Sequence, residues 1–577
     1  MSDVPRSDVH QYDVIIAGGG SAGAVLAARL TEDPWRRVVL VEAGPNVSRG
    51  EMPAVLASAY PGRAQFNPSW FWTELRATMG EGNSNQPAIP RTYEQPKVLG
   101  GGSAVNGLGA NRGQPSDYDE WAAAGARGWG WSDVLPYFRK LERDLTYDGP
   151  LHGRDGPLPI QRVARESWSG FTRAVAQAAA GEGLGQVDDQ NGPWACGMIP
   201  TSVNIDESGQ RASTAVAYLT DAVRRRPNLS LLTGALVRRV LFDGTRAIGL
   251  RVRLATGELD ISARHVILAA GALGSPALLL RSGAGPGAHL RERGIAVVAE
   301  RPGVGENLQE HPATGLSAFL APHARAPGGE NYQLQSLLRW SSGLPGAPEG
   351  DMHVAVSTRS AWHPVGRRIG GFYGWVNKSY SRGRLRLGGD VDGPPEIDFR
   401  MLSDHRDLVR LMKSFRLSLR LLSAVRASGA VYDLFPSGFS ERIKQLTRPT
   451  LRNGILMGIA GPLMDVSATL RRHVIAIATE DAPPPEAIAA DDDRLEAYLR
   501  RVVGGVWHPC GTCRMGDPAD VMAVTDPAGA AIGLEGLTVC DASLMPTIPC
   551  ANLNIPVIMI AEKIADGLRR STPTADR

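Results

Sequence analysis

The sequence predicts an α/β protein, in which a nucleotide-binding domain of the Rossmann type is joined to a second, α+β lobe built on an antiparallel sheet. Two apolar strands at residues 14–16 and 38–41, separated by a glycine turn and a helix, predict the first domain. The length of 577 residues predicts the second lobe. Single hydrophobic cores stop growing at roughly 250–300 residues, so this chain requires at least two.

The first strand turns at Gly18, Gly20 and Gly23, which have the spacing G-x-G-x-x-G. Glycines let the main chain pass close to a pyrophosphate, and a helix beginning near Ser21 directs its N–H groups and positive dipole end at the phosphates. Glu42 lies 24 residues after Gly18, near the roughly 20-residue offset at which an acid accepts hydrogen bonds from a ribose. This unit therefore predicts a dinucleotide site.

Composition excludes several classes of function. A net charge of +3 is too small for a chain of this size to indicate a nucleic-acid partner. No stretch approaches the ~18 apolar residues of a membrane helix, and the short polar N-terminus does not resemble a targeting segment. We therefore expect a cytoplasmic protein without a membrane partner. Cys510 and Cys513 have the spacing of a redox pair or half a zinc site, but no second pair accompanies them, so we expect no metal.

The lobes are predicted to alternate along the chain. Composition shifts to Gly, Pro, Asp and Asn near residues 150–205, and residues 265–269 form another apolar strand that ends in a glycine, Gly271. Two such strands suit one ligand lying across the carboxyl ends of a parallel sheet. We assign residues 9–155, 205–310 and 500–577 to the nucleotide-binding domain, and residues 156–204 and 311–499 to the second lobe.

The C-terminal part carries candidate catalytic groups. His508 follows Trp507, Asp541 ends a short strand, and Asn552 precedes a long helix that begins near Pro556. Asp541 could bind ribityl or ribose hydroxyls, and Asn552 could cap the helix or hydrogen-bond a substrate oxygen. His508 is either a core histidine or a catalytic base, because a histidine of near-neutral pKa suits an alcohol proton.

Six motifs in order resemble those of the glucose-methanol-choline (GMC) flavin oxidoreductase family over nearly the whole chain. They are GGGSAG at 18–23, KVLGGGSAVNG at 97–107, GALGSPALLLRSGAGP at 271–286, PGVGENLQEH at 302–311, HPCGTCRMG at 508–516 and ANLNIPVIMIAEKIAD at 551–566.

The resemblance implies FAD as the cofactor, on a Rossmann-like domain of the glutathione-reductase type. It implies that FAD contacts Gly18, Gly20, Ser21, Ala22, Gly23, Glu42, Ala43, Trp72, Leu99, Gly102, Val105, Asn106, Gly107, Val237, Trp507, Asp541, Ala542 and Asn552, with Val237 beside the adenine. Some relatives attach flavin covalently to a histidine of the glycine loop. Val105 stands at that position here, so we expect non-covalent FAD.

The resemblance further implies that His508 takes the hydroxyl proton of an alcohol while the α-carbon delivers hydride to flavin. The second catalytic position lies eleven residues before Lys563, at Asn552, with Asn554 as the alternative. Reduced flavin would pass its electrons to O2 or a quinone-type acceptor. The family motif requires neither Cys510 nor Cys513.

Substrate class follows from shared short motifs, among them YDEW at 118–121 and WVNK at 375–378, which resemble the bacterial group oxidising aromatic and furanic primary alcohols such as 5-(hydroxymethyl)furfural. Trp375 and Val506 are the expected substrate contacts. Choline-type or aliphatic alcohol dehydrogenation is the alternative within this chemistry. A hydroxynitrile lyase, a fatty-acid photodecarboxylase and a non-catalytic FAD-binding protein are alternatives of other classes.

Overall fold

A computed structural model describes residues 11–80, 89–329, 332–438 and 440–570. Residues 1–10, which contributed to the expectation of no targeting segment, lie outside the described residues. No helix in the described ranges is both long enough and apolar enough to span a bilayer.

The strands of the described residues are, in chain order, β1 (Tyr12–Ala17), β2 (Val38–Glu42), β3 (Arg76–Gly80), β4 (Arg91–Thr92), β5 (Glu142–Asp144), β6 (Leu158–Arg162), β7 (Gly197–Pro200), β8 (Ser202–Val203), β9 (Leu229–Thr233), β10 (Leu236–Asp243), β11 (Arg246–Leu254), β12 (Gly257–Leu268), β13 (Ala284–Gly285), β14 (Ala299–Glu300), β15 (Ala313–Leu320), β16 (Leu334–Trp340), β17 (Met352–Ser357), β18 (Ile369–Val376), β19 (Arg384–Arg386), β20 (Glu396–Met401), β21 (Val431–Ser437) and β22 (Leu537–Val539).

The α-helices of the same residues are α1 (Ser21–Leu30), α2 (Ala54–Ala57), α3 (Gly62–Gln65), α4 (Gly102–Val105), α5 (Pro115–Ala123), α6 (Trp131–Leu141), α7 (Gly170–Gly181), α8 (Thr214–Ala217), α9 (Asp221–Arg224), α10 (Gly271–Arg281), α11 (Gly287–Glu292), α12 (His405–Ala427), α13 (Glu441–Thr447), α14 (Leu451–Val466), α15 (Ala468–Ala478), α16 (Pro485–Ile488), α17 (Asp492–Val502) and α18 (Asn554–Arg570).

The first large sheet has the order β10-β11-β12-β1-β2-β9, and β22 also pairs with β12. β1 is parallel to both β12 and β2, and its apolar residues Ile15 and Ile16 are fully buried between the layers. The carboxyl ends of β1, β2 and β12 therefore meet at one edge, where Gly18, Glu42 and Gly271 stand. This arrangement confirms the predicted α/β, Rossmann-like fold.

The second large sheet has the order β21-β15-β18-β17-β16-β7, and all its neighbouring strands are antiparallel. The long helix α12 packs against β15 and β18. An antiparallel sheet with a helical layer confirms the predicted α+β lobe, whereas the exact lobe boundaries stay a prediction.

The last helix packs on the first. Glu562 of α18 is fully buried and forms an ion pair with Arg29 of α1 at 2.7 Å, while the Tyr218 hydroxyl donates to the same carboxylate at 2.8 Å. Near the beginning of both helices, the Ser21 hydroxyl donates to Asn554 Oδ1 at 2.8 Å. The C-terminal segment is thereby fixed against the glycine turn.

Candidate active site

One cavity of about 1820 Å³ connects the carboxyl ends of the parallel strands with the antiparallel sheet. The wall includes Gly18, Glu42 and Val237 on the side of the first sheet, and Trp375 of β18 on the other. His508 also faces this cavity. The candidate nucleotide-binding and catalytic groups thus share one enclosed space.

The glycine turn has the shape of a phosphate-binding loop. Gly18 has a φ of +102°, and a Cβ at Gly23 would lie 1.9 Å from the carbonyl oxygen of Gly18, so neither position accepts a side chain. Gly20 and Gly102 instead have open space where a Cβ would stand, and both line the cavity. Main-chain groups at these two glycines are therefore accessible to a ligand, as a pyrophosphate site requires.

Most of the predicted cofactor contacts lie on the cavity wall. They are Gly18, Gly20, Ser21, Ala22, Glu42, Ala43, Trp72, Gly102, Val105, Asn106, Gly107, Val237, Trp507, Asp541, Ala542 and Asn552. Gly23 and Leu99 lie behind that wall: Gly23 allows α1 to pack on the turn, and Leu99 is fully buried beside Gly19.

Glu42 is a buried carboxylate at the end of β2. Its Oε2 accepts a hydrogen bond from the Gly19 N–H at 2.8 Å, and its Oε1 accepts one from the Gly44 N–H at 2.7 Å. Burial raises the pKa of Glu42, partly offset by these bonds. A carboxylate offers about four acceptor positions, so capacity remains for ribose hydroxyls.

Asp541 has no such spare capacity. Its Oδ2 accepts from the Gly271 N–H at 2.8 Å and the Ser275 hydroxyl at 2.5 Å, and its Oδ1 accepts from the N–H and hydroxyl of Ser543 at 2.8 and 2.6 Å. These four bonds use the acceptor positions of the carboxylate. The side chain therefore holds α10 and the 541–543 turn together, and Asp541 and Ala542 both line the cavity.

His508 lies beside Asn552 and a second histidine that the sequence reasoning did not assign. Asn552 Nδ2 is 3.2 Å from His508 Nε2, and His311 Nδ1 is 3.0 Å from His508 Nδ1. On its far side, His311 Nε2 is 3.2 Å from the carbonyl oxygen of Pro549. Asn554 lies apart from this group and accepts from Ser21.

These contacts determine which nitrogen of His508 carries the proton. A carbonyl only accepts, so His311 Nε2 must donate to Pro549, which leaves Nδ1 of a neutral His311 as an acceptor. His508 Nδ1 must then donate to it, and His508 Nε2 keeps its lone pair. Burial lowers the pKa of His508 to about 3, and burial together with the adjacent His508 lowers that of His311 well below its ordinary value, so both rings are neutral.

A buried carboxylate, Glu310, positions the His508 loop. Its Oε1 accepts from the N–H of His311 at 2.8 Å and that of Val506 at 3.4 Å, while its Oε2 accepts from the His508 N–H at 2.7 Å and the Tyr93 hydroxyl at 2.5 Å. Burial raises the pKa of Glu310 to about 7 despite these bonds. The sequence analysis missed this role, although the motif at 302–311 contains the residue.

Trp507 adopts a left-handed backbone conformation, with φ of +60°, immediately before His508. Such conformations cost of order 1–3 kcal/mol in residues with a side chain. The indole Nε1 donates to Glu94 Oε2 at 3.1 Å, and Lys444 of α13 forms an ion pair with Glu94 at 2.7 Å. The strained turn is thus connected to the second lobe.

The predicted substrate contacts lie near this group. Trp375 is 5% exposed, packs edge-on against His353, and lines the cavity together with Val506. Its indole Nε1 donates to Asn377 Oδ1 at 3.2 Å, so the ring is held with its apolar surface available.

Two clusters of side chains have metal-ligating atoms close together. In the first, Glu310, His311 and His508 are held by the contacts described above. In the second, His152 contacts Asp144 at 3.1 Å and Asp189 at 2.9 Å, and Arg162 pairs with both aspartates. Although burial opposes it, these bonds raise the pKa of His152 to about 10, which makes the second cluster a charge-balanced ion network.

All five cysteines are free, and Cys510 and Cys513 are buried. Burial raises the pKa of Cys510 and that of Cys513 above the ordinary thiol value. Neither thiol therefore has the character of a redox-active or metal-binding thiolate.

Fold and site together define a dinucleotide-binding protein in which a histidine and an asparagine share the cavity of the glycine turn. Two family models described as GMC oxidoreductase match residues 12–313 and 379–561. The chain is 41% identical over 569 residues to 5-(hydroxymethyl)furfural oxidase of Methylovorus sp. (strain MP688), covering 96% of this chain and 98% of that protein. The protein belongs to the GMC oxidoreductase family.

Two further relatives span the chain. Oxygen-dependent choline dehydrogenase of Burkholderia pseudomallei (strain 1710b) is 33% identical over 585 residues, covering 98% of this chain and 94% of that protein. The crystal structure of pyridoxine 4-oxidase from Mesorbium loti superposes with a TM-score of 0.77 at 29% identity, covering 98% of this chain and 100% of that one. The cofactor of the family is FAD. The open main chain at Gly20 and Gly102 and the remaining acceptor capacity of Glu42 fit its pyrophosphate and ribose.

Proposed function

We propose that this protein oxidises an aromatic or furanic primary alcohol to its aldehyde and transfers the electrons to O2. The carrying observation is the His508 Nε2 lone pair, which is fixed by the His311 contact and lies beside the Asn552 amide in a cavity shared with the glycine turn. This geometry supports one base and one orienting group acting on a single hydroxyl.

In this proposal, His508 Nε2 accepts the hydroxyl proton of the substrate. The proton on His508 Nδ1 stays on that nitrogen, which donates a hydrogen bond to His311 Nδ1. In the structure the Asn552 amide donates to His508 Nε2 at 3.2 Å. In the proposal the substrate hydroxyl takes over this contact, accepting from Asn552 Nδ2 and donating to His508 Nε2, so the carbon–oxygen unit is oriented before reaction. Bound FAD supplies the hydride acceptor for the carbon. Glu310 keeps the 506–508 loop in place by accepting hydrogen bonds from the main-chain N–H groups of Val506 and His508.

The substrate class rests on the wall opposite the glycine turn. Trp375, Tyr373 and Trp507 give this part of the cavity aromatic surfaces suited to a planar ring. The 41% identical relative is named for the oxidation of a furanic alcohol. O2 as acceptor is supported by the names of both sequence relatives, of which one is an oxidase and the other oxygen-dependent.

Anaerobic mixing of the holoenzyme with benzyl alcohol or 5-(hydroxymethyl)furfural tests this function. The flavin absorbance should bleach, and admission of air should restore it with formation of aldehyde and hydrogen peroxide. His508→Ala, loaded with FAD, is the matched control and should bleach about 10²–10⁴-fold more slowly. A hydroxynitrile lyase, a photodecarboxylase or a non-catalytic FAD-binding protein would leave the flavin oxidised with both alcohols, and that result would contradict the proposal.

The cofactor contacts on the cavity wall, including Asp541, are proposed with the same assignment. The division into lobes at residues 155, 205, 310 and 500 and the cytoplasmic location stay predictions.

A further inference from the structure

A part of the cavity is formed entirely by the second lobe. It lies between strands β18 and β21 and the helical hairpin α14–α15, and we call it the hairpin chamber. Its wall consists of Val365, Ile369, Phe435, Met457, Ala460, Met464, Val474 and Ile475. None of these residues belongs to the motifs attributed to FAD, so the chamber is not explained by the cofactor.

The wall of the hairpin chamber is aliphatic, aromatic and thioether in character. Phe435 and Ile475 are each 9% exposed, whereas Met464 is fully buried within the same apolar cluster. Met457 and Met464 have flexible side chains that adapt to ligands of different shape. None of the eight residues carries a charge, so the surface that they form is suited to hydrocarbon, whereas polar and charged side chains such as Glu441, Lys444 and Glu480 line other parts of the cavity.

Helix α14 is apolar on two opposite faces. The inner face lines the chamber through Met457, Ala460 and Met464, while Ile455 and Ile459 on the outer face are 56% and 61% exposed. Leu456 and Ile477 are both exposed and on the cavity wall, so the chamber also has an apolar mouth at the hairpin. An apolar ligand can therefore be longer than the chamber itself.

The chamber is continuous with the space around His508, because both belong to the same cavity. Gly370, Gly371 and Phe372 of β18 lie on the wall, between Ile369 of the chamber and Tyr373 beside the His508 loop. Oxidation of a small furanic alcohol requires the ring to occupy only the space near Trp375 and Trp507.

We propose that the hairpin chamber binds an apolar tail of the substrate, so that the preferred substrate class is an amphipathic primary alcohol. The hydroxymethyl group lies at His508, and an alkyl or extended aryl tail occupies the space between β18, β21 and the hairpin. This inference rests on the proposed alcohol oxidation. It adds an apolar tail to the substrate, which the oxidation of the hydroxymethyl group does not itself require.

The test uses the FAD-loaded enzyme and benzyl alcohols that carry methyl, ethyl, propyl or butyl groups at the meta or para position. Each methylene that moves from water into the chamber should raise kcat/KM about fourfold. From methyl to butyl, kcat/KM should therefore rise on the order of 30-fold or more in at least one of the two series. The value of kcat/KM for unsubstituted benzyl alcohol gives the rate of the reaction without a tail.

Ala460→Phe and the milder Ala460→Leu fill the chamber from its wall. The ratio of kcat/KM for the butyl over the methyl compound should fall to within a few-fold of one in Ala460→Phe and to an intermediate value in Ala460→Leu. Ile459→Phe adds the same ring to the exposed face of the same helix and should keep the wild-type ratio. FAD content measured by absorbance reports correct folding of each variant.

The outcomes separate the two proposals. Absence of flavin reduction by every alcohol would contradict the proposed function. Oxidation of benzyl alcohol with no gain from longer tails would overturn the chamber inference alone. A gain that persists in both Ala460 variants, or a ratio that falls equally in Ile459→Phe, would also overturn it, because the tail would then bind elsewhere.

Discussion

Glu310 provides a test of the site that does not depend on substrate. Its folded-state pKa of about 7 lies above the ordinary 4.5 because the carboxyl is buried. Between these two values the folded protein keeps a proton that the unfolded chain releases, so stability due to Glu310 is present at low pH and is lost as pH rises through 7. Linkage gives a difference of roughly 2–3 kcal/mol between pH 5 and pH 8.

Glu310→Gln removes this titration. The glutamine side chain has one oxygen, which can accept from two of the four N–H and O–H donors that contact Glu310. The other two donors face the amide NH2 group and lose their acceptor, which costs about 1–3 kcal/mol of stability for each of them at either pH. The difference between the urea-unfolding free energies of wild type and variant, both saturated with FAD, should therefore be roughly 2–3 kcal/mol larger at pH 5 than at pH 8.

Glu94→Gln is the matched control for loss of a carboxylate near the same loop, because Glu94 contacts Trp507 and Lys444. The reasoning would be refuted if the unfolding free energies of wild type and Glu310→Gln differed by the same amount at pH 5 and at pH 8. It would mean that the folded protein does not hold the extra proton at this carboxyl.

Four further outcomes test the remaining assignments. Acid precipitation should leave yellow FAD in the supernatant, because Val105 cannot form the covalent flavin link of some relatives; flavin in the pellet would disprove this. Glu42→Ala should purify partly without FAD, since a charge-assisted acceptor worth about 1.5–3 kcal/mol is lost, and full occupancy measured by absorbance would count against the ribose contact. Asn552→Ala should slow anaerobic flavin reduction, by less than His508→Ala does. Asn554→Ala should slow it less than Asn552→Ala, because Asn554 contacts Ser21 and not His508, and the reverse order would exchange the two roles.

The fold was predictable where local pattern and tertiary structure agree. The apolar strand β1, the glycine turn and the helix beginning at Ser21 form one continuous segment, and each step has a short-range cause in the sequence. The antiparallel lobe was predictable only in class. Its strand order places β7 beside β16, some 140 residues later in the chain, and periodicity contains no information about such pairing.

The site was predictable where a motif marks it, as at His508 and Asn552. Glu310 and His311 could not be assigned, because their roles arise from contacts with residues almost 200 positions away. Asp541 is a different case. An acid at a strand end suggests a contact with a ligand, but only the structure shows that four protein donors already hydrogen-bond to its carboxylate oxygens. Sequence patterns identify reactive groups more readily than they identify the protein groups that already hydrogen-bond to them.

The pairing of the last helix with the first has a consequence for biosynthesis. Arg29 emerges from the ribosome long before Glu562, its buried partner, and β22 joins the parallel sheet only when residues 537–539 have been made. The His508 and Asn552 pair is likewise complete only after residue 552 has been made. A shorter nascent chain therefore lacks part of the wall of the FAD cavity, which includes Asp541 and Asn552.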